Sequence, residues 1–177
     1  MQLTTKEKDK ILDNLSAEEI CIQKYETYAN HTSDPEIKNL FKSLAQQEKQ
    51  HAKTLTNMLN GNFQGAQQQG QGQQTQQQPP KQEVVMSNNK NTMEVANMAL
   101  QTTNATDYSK FSDRQLLQDA LLSEKHVSSA YDSSVLESAN RQIMQTLEHI
   151  QKEEHEHGQQ LFEMMNKKGW YTVNPAK

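Results

Sequence analysis

Two stretches of this chain, 106 positions apart, carry the same residues at the same spacing, and that duplication limits the possible folds more than any other feature. Glu48 and His51 lie in Gln46-Gln47-Glu48-Lys49-Gln50-His51-Ala52, and Glu154 and His157 lie in Lys152-Glu153-Glu154-His155-Glu156-His157. The same offset relates Glu18 to Glu124, Tyr25 to Tyr131 and Asp13 to Asp119. It also relates Leu15 to Leu121, Ile37 to Ile143, Leu55 to Leu161 and Met58 to Met164. The pattern Glu-x6-Tyr-x22-Glu-x-x-His therefore occurs twice with no gap inside either copy. A repeat of this kind implies duplication of one supersecondary unit.

The unit reads as a helical hairpin. Thr4-Thr5-Lys6-Glu7 has the form of a capping box and opens the first helix. Its apolar stripe is Ile11, Leu15, Ile22, Tyr25 and Ala29, with Glu18 in the vacant slot. Asn30 to Ser33 breaks it, and Asp34-Pro35 restarts a helix as N-cap and first turn. The second stripe is Ile37, Phe41, Leu44, Ala52, Leu55, Met58 and Leu59, interrupted by Glu48 and His51, and Asn60-Gly61 closes it. Ser112-Asp113-Arg114-Gln115 caps the third helix, whose stripe is Leu117, Leu121, Ser128, Tyr131 and Val135, with Glu124 in the gap. A break at Ser138 to Asn140 leads into the fourth, with Ile143, Leu147, Ile150, Leu161 and Met164 flanking Glu154 and His157. Gly169 ends it, and Trp170-Tyr171 is expected to fold over the bundle end.

Hence residues 1–61 and 112–177 are expected to form two hairpins of one bundle domain, joined by a connector over 62–111. Gln64 to Gln82 is almost wholly Gln, Gly and Pro and buries too little apolar surface to order itself. It reads as a mobile spacer or as a glutamine-rich interaction or cross-linking segment. Val84 to Met86 and Met93 to Leu100 could add a short helix. Short links within each hairpin and a long one between them point to an all-α four-helix bundle of ferritin-like topology with a long crossover.

In that topology one Glu from each of the first and third helices, and one Glu-x-x-His pair from each of the second and fourth, project into the interior. Residues three apart leave a helix on one face, so each pair is presented together. This is the ligand pattern of di-iron and di-manganese carboxylate bundles. The electrostatics agree, because four converging carboxylates in a core cost several kcal/mol each unless compensated, and two divalent ions cancel them. Glu18, Glu48, His51, Glu124, Glu154 and His157 are the candidate ligands. Glu48 and Glu154 would bridge, Glu18 and Glu124 would be terminal, and His51 and His157 would each cap one ion. Oxygen and imidazole donors suit iron or manganese, and zinc also fits. A slight rotation of each helix would instead make these ordinary surface polar residues of a solvated or subunit-facing groove. Tyr25 and Tyr131 either hydrogen-bond ligand carboxylates or simply fill the core. Glu19, Glu153, Glu156, His149 and His155 fall off the stripe and are expected in solvent, while Cys21 is expected to be a small buried hydrophobe.

Composition excludes several classes. A net charge of −4 with scattered basic residues gives no nucleic-acid footprint. No apolar run reaches the length of a membrane span, and Met1 to Lys10 is too polar for a secretory signal. Synthesis and folding in the cytoplasm are expected, and the single cysteine, which can form no internal disulfide, agrees.

The first hairpin, through Glu18, Tyr25 and Glu48-Lys49-Gln50-His51-Ala52-Lys53, resembles rubrerythrin-type ferritin-like domains. A closer resemblance is to the spore coat protein F-like family. It rests on the runs Glu18 to Tyr25, Asp119 to Val127 and His149 to Glu154, and on Gly169-Trp170-Tyr171. The resemblance implies a ferritin-like fold, a place in the spore coat, and other coat proteins or further copies of the chain as partners. It supplies no defined reaction. The Cys-x-x-Cys pairs of full rubrerythrins are absent, so their electron relay is not implied. Two readings follow: a coat protein holding two metal ions, or a coat protein acting only through its surface and connector.

Overall fold

The computed structural model describes residues 2–63 and 108–174. Four long helices account for most of them: α1, Thr5–His31; α2, Pro35–Leu59; α3, Asp113–Leu136; and α4, Arg141–Lys167. A single 3-10 turn, Tyr108–Lys110, precedes α3, and the described residues contain no strand. The expected Gln-rich segment and the short helix near Met93 to Leu100 lie outside the described residues.

Each helix begins where its capping chemistry dictates. Thr4 and Ser112 form reciprocal capping boxes with Glu7 and Gln115. Asp34 caps α2 ahead of Pro35, and Asn140 accepts from Gln142 N at the start of α4. Gly61 and Gly169 follow α2 and α4 at φ 79° and 74°, a conformation that strains any residue with a Cβ. In the duplicated frame the starts of α2 and α4, Pro35 and Arg141, correspond residue for residue.

Contacts between helices fix their directions. Lys10 Nζ donates to Ser133 Oγ (3.3 Å), Asn14 Nδ2 to Ser134 Oγ (3.1 Å) and Lys24 Nζ to Ser123 Oγ (2.6 Å), so α1 and α3 run antiparallel. Lys167 Nζ reaches Glu36 Oε1 at 2.5 Å while His51 meets Glu153, so α2 and α4 are antiparallel as well. The ends of α2 and the start of α3 therefore lie at opposite ends of the bundle. These helix directions are those of a ferritin-like bundle.

The core follows the two repeats closely. Ile11 and Leu117, Ile37 and Ile143, Phe41 and Leu147, Leu44 and Ile150, and Leu55 and Leu161 are equivalent pairs and all buried. Each fully buried side chain of this size contributes roughly 1.5–3 kcal/mol. Three expectations need correcting. On α1 the inward stripe is Ile11, Asn14, Glu18, Cys21, Tyr25 and Tyr28, whereas Leu15 and Ile22 are only half-buried. Asn14 is admitted because Ser134 accepts its amide proton inside the interface. On α2 Ala45 takes an inward place, and Ala52 and Leu59 sit at its margin. On α4 Met165 is fully buried and Met164 lies at the edge. Trp170 packs on the end of the core, and Tyr171 meets Phe162 edge to face.

Glu7 ties the hairpins together at one end. Its Oε2 accepts from Thr4 N (2.9 Å) and Thr4 Oγ1 (2.7 Å), and its Oε1 accepts from the Ala139 and Asn140 amides (3.1 and 2.9 Å) in the α3–α4 turn. Loss of a cap together with two unpaired amides is costly. Glu7→Ala is expected to lower the unfolding free energy by about 2 kcal/mol in urea denaturation, against less than about 0.5 kcal/mol for Lys6→Ala beside it.

Candidate metal centre

The six candidates meet at mid-bundle. Glu18, Glu48, Glu154 and His157 are 0 % exposed, Glu124 is 1 % and His51 is 3 %. They form two overlapping groups, Glu18, Glu48, His51 and Glu154, and Glu48, Glu124, Glu154 and His157. Within each group the ligating atoms lie within 4.8 Å of one another. Glu48 and Glu154 belong to both. The solvated-groove alternative is excluded for these residues by their burial.

Both imidazoles present Nδ1 to the carboxylates. His51 Nδ1 lies 2.8 Å from Glu154 Oε1, 3.1 Å from Glu48 Oε2 and 3.6 Å from Glu18 Oε2. His157 Nδ1 lies 3.1 Å from Glu48 Oε1, 3.7 Å from Glu154 Oε2 and 3.8 Å from Glu124 Oε2. The rings stack with centroids 5.4 Å apart and planes 20° from parallel. One ring nitrogen carries at most one proton, so neither histidine can satisfy the three carboxylates around it. Glu18 Oε2, Glu124 Oε2 and both oxygens of Glu154 in fact have no hydrogen-bond partner. Close approach of Glu154 Oε1 to His51 Nδ1 does not amount to a hydrogen bond. Such orphaned, buried oxygens beside imidazole nitrogens are the donor set a divalent cation takes up.

The tyrosines hold the terminal carboxylates across the helix pair. Tyr25 Oη on α1 donates to Glu124 Oε1 on α3, and Tyr131 Oη on α3 donates to Glu18 Oε1 on α1. The hydrogen-bonding expectation for both is met. Each terminal glutamate thus has one oxygen fixed and the other free to face inward. Cys21 is buried nearby, and burial together with the four carboxylates pushes its thiol well above the usual range. It stays protonated and offers no thiolate ligand.

Two participants are missed by stripe reasoning. Glu153, expected in solvent, accepts a hydrogen bond from His51 Nε2 at 3.1 Å. Gln47 Oε1 does the same for His157 Nε2 at 3.0 Å. The repeat offset does relate Gln47 to Glu153, and that was the available signal. Glu19, Glu156, His149 and His155 are exposed as expected.

Charge is shared unevenly. Burial pushes Glu18 and Glu124 well above the usual carboxylate range, reinforced by the neighbouring acidic groups. Burial opposes ionisation of Glu48 and Glu154 too, but the two imidazoles outweigh it, hydrogen-bonded to Glu48 and close beside Glu154, and hold both carboxyls low. Burial would likewise keep the imidazoles neutral. The surrounding carboxylates overcome it, raising His51 strongly and His157 to about 9.

Residues 9–115 match the rubrerythrin family model and residues 112–174 match the Coat F domain model. A candidate spore coat protein from Bacillus halodurans C-125 superposes with TM-score 0.68 at 15% identity, covering 100% of this chain and 96% of that one. The manganese catalase KatB from Anabaena gives TM-score 0.64 at 14% identity over 100% of this chain and 82% of that one. A two-domain protein from Anabaena variabilis ATCC 29413, with DJ-1/ThiJ/PfpI-like and ferritin-like domains, gives TM-score 0.64 at 16% identity. There the match covers 99% of this chain but 41% of that one. At these identities the structures speak to the ferritin-like fold. No curated protein matches the sequence significantly.

The raised imidazoles set a pH dependence for protein stripped with chelator. A group with a raised folded-state pKa stabilises fully below its unfolded value, and that stability drains away as pH climbs through the folded value. For His157 the window runs from 6.5 to about 9. The raised carboxyls of Glu18 and Glu124 act in the same direction. The melting temperature of chelated protein is expected to fall steadily across this window, and His157→Gln is expected to flatten the fall; calorimetry at fixed ionic strength reads both.

Proposed function

The chain belongs to the rubrerythrin family and carries a Coat F domain, and from that premise we propose that it is a ferritin-like component of the spore coat holding two divalent metal ions in its core. The observation that carries this reading is the set of unpartnered buried oxygens on Glu18, Glu124 and Glu154 around two inward-facing Nδ1 atoms. Four carboxylates and two imidazoles match two divalent ions in charge and in donor type. Iron or manganese suits the set best, with zinc acceptable, and manganese is the metal named for the catalase of the same fold.

Each residue has a role derivable from its position. Glu48 and Glu154, common to both groups, would bridge. Glu18 and Glu124 would each serve one ion, held by Tyr131 and Tyr25 so that one oxygen faces inward. His51 and His157 keep their proton on Nε2, because Glu153 and Gln47 accept it there, and this leaves the Nδ1 lone pair for the ion. Two adjacent redox-active ions can share a two-electron change, chemistry suited to consuming peroxide or dioxygen. Apolar side chains to either side, among them Phe41, Leu44, Leu55 and Leu161, exclude bulk water and proton leakage.

Partners in this reading are other coat proteins or further copies of the chain. No described helix is long and apolar enough to cross a membrane.

Elemental analysis of protein purified without chelator tests the proposal. About two equivalents of iron, manganese or zinc are expected per chain, falling below about 0.2 in Glu48→Ala. Loading stripped protein is expected to release protons, because ligands must be deprotonated to bind and burial or neighbouring carboxylates raise Glu18, Glu124, His51 and His157. Loading should also raise the melting temperature, since ligand at ~100 times its Kd adds about 2.7 kcal/mol per site. A protein without bound metal, indifferent to chelator and to added ions, would instead be a purely structural coat component. Peroxide turnover that disappears in Glu48→Ala would establish catalysis.

A further inference from the structure

The duplicated halves differ by one charge at the site. Equivalent positions Gln47 and Glu153 each accept a hydrogen bond from the Nε2 of the histidine on the opposite helix: Glu153 from His51 at 3.1 Å, Gln47 from His157 at 3.0 Å. Their settings are matched. Both are half-buried, and each is backed by the residue four positions earlier on its own helix. Gln47 Nε2 donates to Ser43 Oγ (3.2 Å) and to the Ser43 carbonyl (3.4 Å), which orients the amide so that Oε1 faces His157. Glu153 Oε2 lies 3.6 Å from His149 Nε2, and that ring is 56% exposed. At the acceptor itself one half offers a carboxylate and the other a neutral amide, backed by His149 and Ser43 respectively.

Resting on the two-metal reading, we propose that Glu153 makes the centre asymmetric. The ion held by Glu18, Glu48, His51 and Glu154 binds about 10- to 100-fold more tightly than the ion held by Glu48, Glu124, Glu154 and His157. Two effects act together. A carboxylate accepting the Nε2 proton strengthens Nδ1 as a donor and fixes the ring more firmly than an amide does. It also adds a negative charge next to one ion only. The four carboxylates shared between the two positions already cancel two divalent ions, so a further negative charge beside one of them favours the His51 side. Glu153 is a positioning residue and touches neither ion.

Calorimetric titration of stripped, full-length protein with Mn2+ alone at constant pH tests this. The native chain is expected to give two steps, and Glu153→Gln is expected to weaken the tighter one by about 10- to 100-fold, leaving the weaker one in place. Gln47→Glu is expected to tighten the weaker step by a similar factor. The double swap, Gln47→Glu with Glu153→Gln, is expected to restore the separation, because the charge has moved to the other half. A merely structural role for Glu153 gives no such rescue. Two equivalents bound with affinities that Glu153→Gln leaves unchanged, or lowers equally, would overturn the asymmetry while leaving the metal centre intact. No Mn2+ uptake by any variant would overturn the metal centre and the asymmetry with it.

Discussion

Mutual repulsion of four carboxylates, shut away from water in the middle of a helical bundle, is the constraint on which the rest of this structure depends. Glu18, Glu48, Glu124 and Glu154 are essentially without solvent contact and fall into two overlapping groups that have Glu48 and Glu154 in common. Leaving them ionised and alone would cost several kcal/mol per charge. The chain neutralises them in only two ways. Protons on Glu18, Glu124 and both imidazoles do so in one, and cations do so in the other. The directions in which burial and neighbours push these groups describe the first, and the buried oxygens without a hydrogen-bond partner point to the second. The surrounding bundle has to be strong enough to hold such a centre together. It supplies apolar packing toward one end through Ile11, Leu55, Met58, Ile143 and Leu147. Toward the other end it does so through Tyr28, Ile37, Phe41, Leu117 and Leu161.

Duplication explains why the centre has two halves, and divergence between the copies explains why they are not identical. A hairpin by itself carries three candidate ligands and an unburied apolar face. Pairing two copies antiparallel closes the core and doubles the ligands at once. It also sends each tyrosine to the glutamate of the other copy, so that Tyr25 holds Glu124 and Tyr131 holds Glu18. Where the copies have drifted the consequences are local. Cys21 faces Val127 in the alignment of halves and both remain small buried groups. Gln47 and Glu153 have drifted by a charge, and there the two positions differ chemically.

Much of this was readable from residue order. The capping boxes at Thr4 and Ser112, the Asp34-Pro35 start and the closing glycines marked helix ends because each satisfies backbone groups that a helix leaves bare. The six ligand candidates stood out because charged residues occupied apolar slots twice over. What the order of residues did not show was which of two adjacent side chains turns inward. Leu15 and Met164 looked like core residues on hydrophobicity, yet Asn14 and Met165 take the inward positions. A partner across the interface, Ser134, makes Asn14 acceptable, and that partner is distant in sequence. Glu153 was misplaced for the same reason. Off its own stripe it looks solvated, and only the neighbouring helix brings His51 to it.

Rubrerythrin-family membership places the chain among ferritin-like proteins, and residues 112–174 match the Coat F domain, but the chemistry rests on the centre itself. Anomalous diffraction from crystals grown without chelator, collected on either side of the iron and manganese absorption edges, examines that centre most directly. The account predicts two anomalous peaks between Glu48 and Glu154, one completed by Glu18 and His51 and the other by Glu124 and His157. Well-ordered side chains at all six positions with no anomalous density between them, even after soaking in manganese, would contradict it.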